Sequence, residues 1–183
     1  MKVLAVVGSP RKRGNTDLLI DALLEGAKEA GAEVEKVYLA DLHILPCDGC
    51  DVCRVSGQCV HQDDMIPLYE KLFRSDVWVL GTPIYWWGPS AQLKAFIDRW
   101  YLFGNGERWR VRGKRAALVI PFADSDPGTA RHVVGMLADS FDYLGMDFVG
   151  QILVTAGDLG EVAKNPAALE QAHNLGRRLA TAK

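Results

Sequence analysis

The chain predicts a doubly wound α/β fold with a five-stranded parallel sheet. Three observations carry this: short apolar runs alternate with helix-period segments from end to end, the runs are rich in β-branched residues, and several close on Gly, Pro or Ser. Lys2 to Val7 (KVLAVV), stopped by Gly8-Ser9-Pro10, reads as a buried first strand. Leu19, Ala22, Leu23, Gly26, Ala27 and Ala30 share one helical stripe that Gly31 ends. Glu33 to Leu39 alternates and suits a strand near an edge. Asp63 or Asp64 caps a helix carrying Met65, Leu68, Tyr69, Leu72 and Phe73. Asp76 to Leu80 is the third strand, and a helix from Ser90 buries Leu93, Phe96, Ile97 and Trp100. Arg115 to Pro121 is the fourth strand, followed by a helix presenting Val133, Met136, Leu137, Phe141 and Leu144. Phe148 to Val154 is the fifth, and Asn165-Pro166 opens the last helix.

The 183 residues suffice for one domain, taken as residues 1–183, with no linker or repeat. A net charge of -2 gives no electrostatic preference for nucleic acid or an anionic membrane. The apolar stretch Val3 to Val7 is too short for a signal peptide or a membrane span, so a cytoplasmic location is expected.

In a doubly wound sheet ligands sit beyond the carboxyl ends of the strands. The first such loop is Gly8-Ser9-Pro10-Arg11-Lys12-Arg13-Gly14-Asn15-Thr16, polar, hydroxyl-bearing and feeding a helix N-terminus, as an anion site requires. Ser9 and Thr16 can donate hydroxyls, Asn15 its amide, and Arg11 a fork to phosphate oxygens. It is neither a Walker loop, since Asn15 rather than lysine precedes Thr16, nor a G-x-G-x-x-G fingerprint. After the third strand come Pro83, Ile84, Tyr85, Trp86, Trp87 and Gly88. Three adjacent loop aromatics suit a platform for a planar ring, with a subunit interface as the competing use of the tryptophans. The loop from Phe122 to Thr129 lies at a third carboxyl end, where Asp124 and Asp126 read as turn formers rather than acid–base groups.

Cys47, Cys50, Cys53 and Cys59 spell C-x2-C-x2-C-x5-C between the second strand and the next helix. The spacing suits an iron–sulfur cluster; a zinc on the four thiolates, or on three plus His61, and free thiols remain alternatives. No arginine follows any of these cysteines at the spacing of a C-x5-R phosphatase loop, which weakens a nucleophilic Cys47. His43, His132 and His173 are isolated and read as structural.

The runs Gly8–Thr16 and Thr82–Arg99, with the cysteine motif between them, resemble the NADPH-dependent FMN reductase and iron–sulfur flavoprotein family. The resemblance implies a flavodoxin-like sheet of order 2-1-3-4-5. It implies FMN phosphate on Ser9, Arg11, Asn15 and Thr16, and flavin-ring contacts from Pro83, Ile84, Tyr85, Trp86, Trp87 and Gly88. It further implies an NAD(P)H-dependent FMN oxidoreductase, with NAD(P)H as co-substrate and a [4Fe-4S] cluster on Cys47, Cys50, Cys53 and Cys59. The adjacent Trp86 and Trp87 depart from the smaller or single aromatic commoner at that loop. A homodimer or homotetramer and a small-molecule or protein electron acceptor are expected. A non-enzymatic electron carrier is the alternative, disfavoured by the small net charge, and a quinone or nitroaromatic reductase would differ only in its acceptor.

Overall fold

The computed structural model describes residues 1–181. Five parallel strands, β1 (Lys2–Val7), β2 (Glu33–Tyr38), β3 (Val77–Gly81), β4 (Arg115–Phe122) and β5 (Asp147–Thr155), stand in the order β2-β1-β3-β4-β5. The order reverses beside β1, between its neighbours β2 and β3, which opens a crevice at their carboxyl ends. The fold is flavodoxin-like, as the resemblance implied.

The strands alternate their side chains between two apolar layers. Val3, Ala5, Val7, Val77, Val79, Ala117 and Val119 face α1 (Asn15–Glu29) on one side. Leu4, Val6, Trp78, Leu80, Leu118 and Ile120 face the other. The short helix α2 (Val52–Ser56) lies inside the cysteine segment. On the second face, α3 (Met65–Arg74), α4 (Ala91–Asp98) and α5 (Arg131–Leu144) bury Leu68, Phe96 and Leu137. The last helix, α6 (Pro166–Thr181), joins α1 on the first face through Ala172, Leu175 and Leu179. All these strands and helices fall within a residue or two of the expected bounds, α2 excepted, and β2 is the edge strand anticipated from its alternation.

Capping follows the local chemistry. The Ser90 hydroxyl accepts from Leu93 N–H at 3.2 Å, and Asn165 Oδ1 accepts from Ala168 N–H at 3.1 Å. Of the two aspartates before α3, Asp63 is the one that accepts from a helix N–H, that of Met65 at 3.1 Å, whereas Asp64 Oδ2 accepts from His43 N–H at 2.7 Å.

Candidate functional site

The carboxyl ends of β1, β3, β4 and β5 border a crevice open to solvent. Ser9, Arg11, Gly14, Asn15 and Thr16 form its floor, and Pro83, Ile84 and Tyr85 one wall. Pro121, Phe122 and Ala123 form a second wall, and Ala156, Gly157 and Leu159 a third. The fold thus brings the hydroxyl-rich loop and the aromatic loop together across the sheet. The β3 and β4 walls are fastened by backbone pairing beyond the strands, Gly8 N–H to Gly81 carbonyl at 2.7 Å and Thr82 N–H to Val119 carbonyl at 3.0 Å.

The floor is a cradle with the chemistry that an anion site requires. No side chain caps the N-terminus of α1, where Gly14 holds the N-cap position. The first-turn N–H groups of a helix lack intrahelical partners and carry the positive end of the dipole. Ser9 is buried, and its Oγ accepts from Arg11 N–H at 3.2 Å, which leaves its proton for an anion. Asn15 behaves otherwise than expected. Its amide donates to the carbonyls of Ala156 at 3.1 Å and Asp158 at 2.8 Å, and its Oδ1 accepts from Val162 N–H at 3.1 Å. The side chain of Asn15 therefore ties the loop after β5 to the cradle, and its backbone N–H belongs to the first turn of α1.

The aromatic loop is divided. Tyr85 lines the crevice, and Trp86 and Trp87 line an adjoining hollow with Asp124 and Thr129. The two spaces share Ile84, Phe122 and Ala123, and Gly88 lines neither. Tyr85 and Gly88 exchange backbone hydrogen bonds at 2.9 and 3.0 Å, closing a two-residue turn at Trp86 (φ 51°) and Trp87 (φ 59°). Positive φ at both central residues is the type I′ pattern, which favours Asn-Gly; each bulky residue there costs on the order of 1–3 kcal/mol. The turn holds the tryptophans outward, 89% and 51% exposed, with ring centroids 6.1 Å apart. Replacing Trp86-Trp87 by Asn-Gly is expected to raise the thermal midpoint by roughly 4–24 °C, given two such residues and about 2–4 °C per kcal/mol at this size. A calorimetric midpoint no higher than that of the unaltered protein would show that the turn stores no strain.

Asp124 is a turn former, as read from the sequence. It accepts from Asp126 N–H at 3.0 Å and from the Thr129 hydroxyl at 2.8 Å, and these hold its carboxyl below the usual range. Asp126 in turn caps the following turn through Gly128 N–H at 2.8 Å.

The cysteine segment lies away from this crevice. Cys47, Cys53 and Cys59 are half-buried, Cys50 is exposed, and Cys53 and Cys59 pack against the α3–α5 core layer. Burial pushes the Cys53 thiol up, and the neighbouring Cys59, Cys47 and Cys50 sulfurs push it the same way, so the four share one electrostatic neighbourhood. Soft thiols so grouped match the donor set of an iron–sulfur cluster. Among the described residues no three His, Cys, Asp or Glu side chains stand at metal-binding spacing.

Sequence reading missed the third wall and one buried pair. Ala156, Gly157 and Leu159 had no chemical signature beyond their place after a strand. Arg99 and Asp63, whose side chains are each 1% exposed, form an ion pair at 2.6 Å beneath the cysteine segment. Burial pushes the Asp63 carboxyl up, but the Arg99 guanidinium and the N–H groups of Leu45 and Met65 outweigh it and hold it below the usual carboxylate range.

Known proteins place the chain. An iron–sulfur flavoprotein of Archaeoglobus fulgidus is 34% identical over 182 residues, spanning 100% of this chain and 80% of the relative. An iron–sulfur flavoprotein of Methanocaldococcus jannaschii is 35% identical over 189 residues, spanning 98% of this chain and 96% of the relative. The solved NAD(P)H:quinone oxidoreductase from Methanothermobacter marburgensis shares the fold at a TM-score of 0.80 and 20% identity, with 100% of this chain and 98% of that one covered. Residues 1–159, which contain the cradle, the aromatic loop and the cysteines, match the model of the NADPH-dependent FMN reductases, and the chain belongs to that family.

Proposed function

We propose that this protein is an NAD(P)H oxidoreductase that holds FMN in the crevice and passes electrons to a small-molecule or protein acceptor. The observation that carries the reading is the uncapped N-terminus of α1 facing the Pro83–Tyr85 and Pro121–Ala123 walls across one crevice. The first-turn N–H groups, the Ser9 hydroxyl and the Arg11 guanidinium would bind the phosphate. Pro83, Ile84, Tyr85 and Phe122 would bracket a planar ring and keep water from its faces. Bound FMN would supply the redox chemistry, taking hydride from NAD(P)H and releasing electrons singly or in pairs.

Among the described residues lining the crevice there is no carboxylate, histidine or thiol. The protein's part is therefore binding and orientation rather than proton transfer by a side chain. The hollow beside Trp86 and Trp87 continues from the crevice through Ile84 and Phe122, which suits stacking of a nicotinamide or an aromatic acceptor on the outward rings. Cys47, Cys50, Cys53 and Cys59 would hold a [4Fe-4S] cluster, a single-electron group. Exposed Trp86, Trp87, Trp109 and Tyr143 favour a homodimer or homotetramer. The four unpaired cysteines suit a reducing cytoplasm, and no described helix is long and apolar enough to cross a membrane.

Protein purified without oxygen is expected to carry flavin absorption and to oxidise NADH or NADPH. Ser9→Ala is expected to weaken FMN binding by about tenfold to a hundredfold, the range for losing a hydrogen bond to a charged group. Failure to retain added FMN, measured by flavin fluorescence quenching, would overturn the reading.

A further inference from the structure

A buried arginine is costly unless its donors are met. Arg99 is 2% exposed and uses all four of its Nη hydrogens, while its Nε is buried without a hydrogen-bond partner among the described residues. Nη1 donates to Asp63 Oδ2 at 2.6 Å and to the Leu45 carbonyl at 2.8 Å. Nη2 donates to Asp63 Oδ1 at 3.2 Å and to Cys59 Sγ at 3.2 Å. The ion pair with Asp63 needs only two of these. The other two reach the flanks of the cysteine segment, at Leu45 before Cys47 and at Cys59, its last thiol.

The helix that ends at Arg99 begins at the crevice. Ser90 Oγ donates to the Gly8 carbonyl at 2.6 Å, and Ser90 N–H donates to Thr82 Oγ1 at 3.0 Å. One rigid element thus pins the two crevice loops at its start and the cysteine segment at its end. At 1.5 Å per residue its ends stand about 14 Å apart.

We propose that Arg99 is a positioning residue for the cysteine segment, and that its Nη2–H bond to Cys59 Sγ raises the reduction potential of the iron–sulfur group held there. The inference rests on Cys47, Cys50, Cys53 and Cys59 being cluster ligands. A reduced cluster carries one more negative charge than the oxidised one, and an N–H donated to a ligand sulfur stabilises that extra charge. Asp63 balances the guanidinium, so the directed N–H···S bond, rather than net charge, is what the site retains. A lysine keeps the charge but lacks the fork that reaches carboxylate, carbonyl and sulfur together.

The test is anaerobic reconstitution with iron and sulfide, followed by a reductive titration monitored by electron paramagnetic resonance, on the unaltered full chain and on Arg99→Lys. In Arg99→Lys the reduced-to-oxidised ratio at the unaltered protein's midpoint is expected to fall about tenfold, equivalent to about 59 mV for one electron. Flavin content and far-ultraviolet dichroism are followed on the same samples. If Arg99→Lys takes up no iron, the double variant Arg99→Met with Asp63→Asn, which removes both buried charges together, carries the titration, and the same fall is expected. An unchanged midpoint overturns the inference while leaving the cluster reading intact. Loss of iron from both variants with flavin kept overturns the tuning role and reduces Arg99 to scaffold. No iron in the unaltered protein overturns the cluster reading itself, and the inference falls with it.

Discussion

Asp63→Ala is expected to lower the free energy of unfolding by about 3–5 kcal/mol, the range for removing one partner of a buried ion pair. The Asp63 carboxylate is 1% exposed and accepts from Arg99 twice, from Leu45 N–H at 2.9 Å and from Met65 N–H at 3.1 Å. Truncation leaves a guanidinium in the interior without a counter-charge and two backbone donors without their acceptor. At about 2–4 °C per kcal/mol for a chain of this size, the thermal midpoint falls by on the order of 10 °C. Arg99→Met with Asp63→Asn should cost less than Asp63→Ala alone, because no bare charge remains buried. A loss below about 1 kcal/mol in the single variant, measured by urea unfolding, would show that water or a neighbouring group replaces the carboxylate.

The same pair sets an acid sensitivity. The folded-state pKa of Asp63 lies below its unfolded value, so its contribution is complete above the ordinary carboxylate range, near 4. It is lost as pH falls through the depressed folded value. Below about pH 4 the unaltered protein should therefore lose stability more steeply than Asp63→Ala, and the two unfolding curves should converge.

Arg99 shows where sequence reading runs out. Apolar runs and helical stripes locate the strands and helices because burial of one face is a local, periodic property. The stripe Leu93, Phe96, Ile97 and Trp100 flanks Arg99, and a charge beside a stripe reads as a solvated edge. Its burial depends on an aspartate 36 positions away that sequence reading took for a helix cap. Asn15 meets the same limit: a polar side chain on such a loop reads as a ligand, and its three bonds to a segment more than 140 residues on leave no mark in the local sequence. The Trp86-Trp87 turn escaped because type I′ geometry is signalled by Asn-Gly, and a strained pair carries no compositional mark. That the hydroxyl-rich loop and the start of the aromatic loop line one crevice was legible, because both follow strands whose carboxyl ends a doubly wound sheet gathers together.

Gly81→Val is expected to abolish or severely weaken FMN binding while the sheet order survives. Gly81 ends β3, paired with Val7 on one side and Val119 on the other, directly beneath the cradle. A Cβ there would overlap Ile20 Cδ1 and lie 2.7 Å from Thr16 Cγ2, both on α1. Ile20 is fully buried in the α1–α6 layer and cannot swing out, so the relief available is displacement of the first turns of α1 from the sheet. Overpacking of this kind costs about 1–3 kcal/mol, which a domain of ordinary stability survives. The cradle does not survive it equally. Its N–H groups act only when aimed at one point, and a 1 Å displacement of a positioned group can cost a hundredfold in function. Flavin titration should show at least a hundredfold weaker binding in Gly81→Val, with an unfolding transition that remains cooperative. Undiminished FMN affinity in a folded variant would mean that the phosphate is not held by the first turn of α1, and the proposed pose would have to be abandoned.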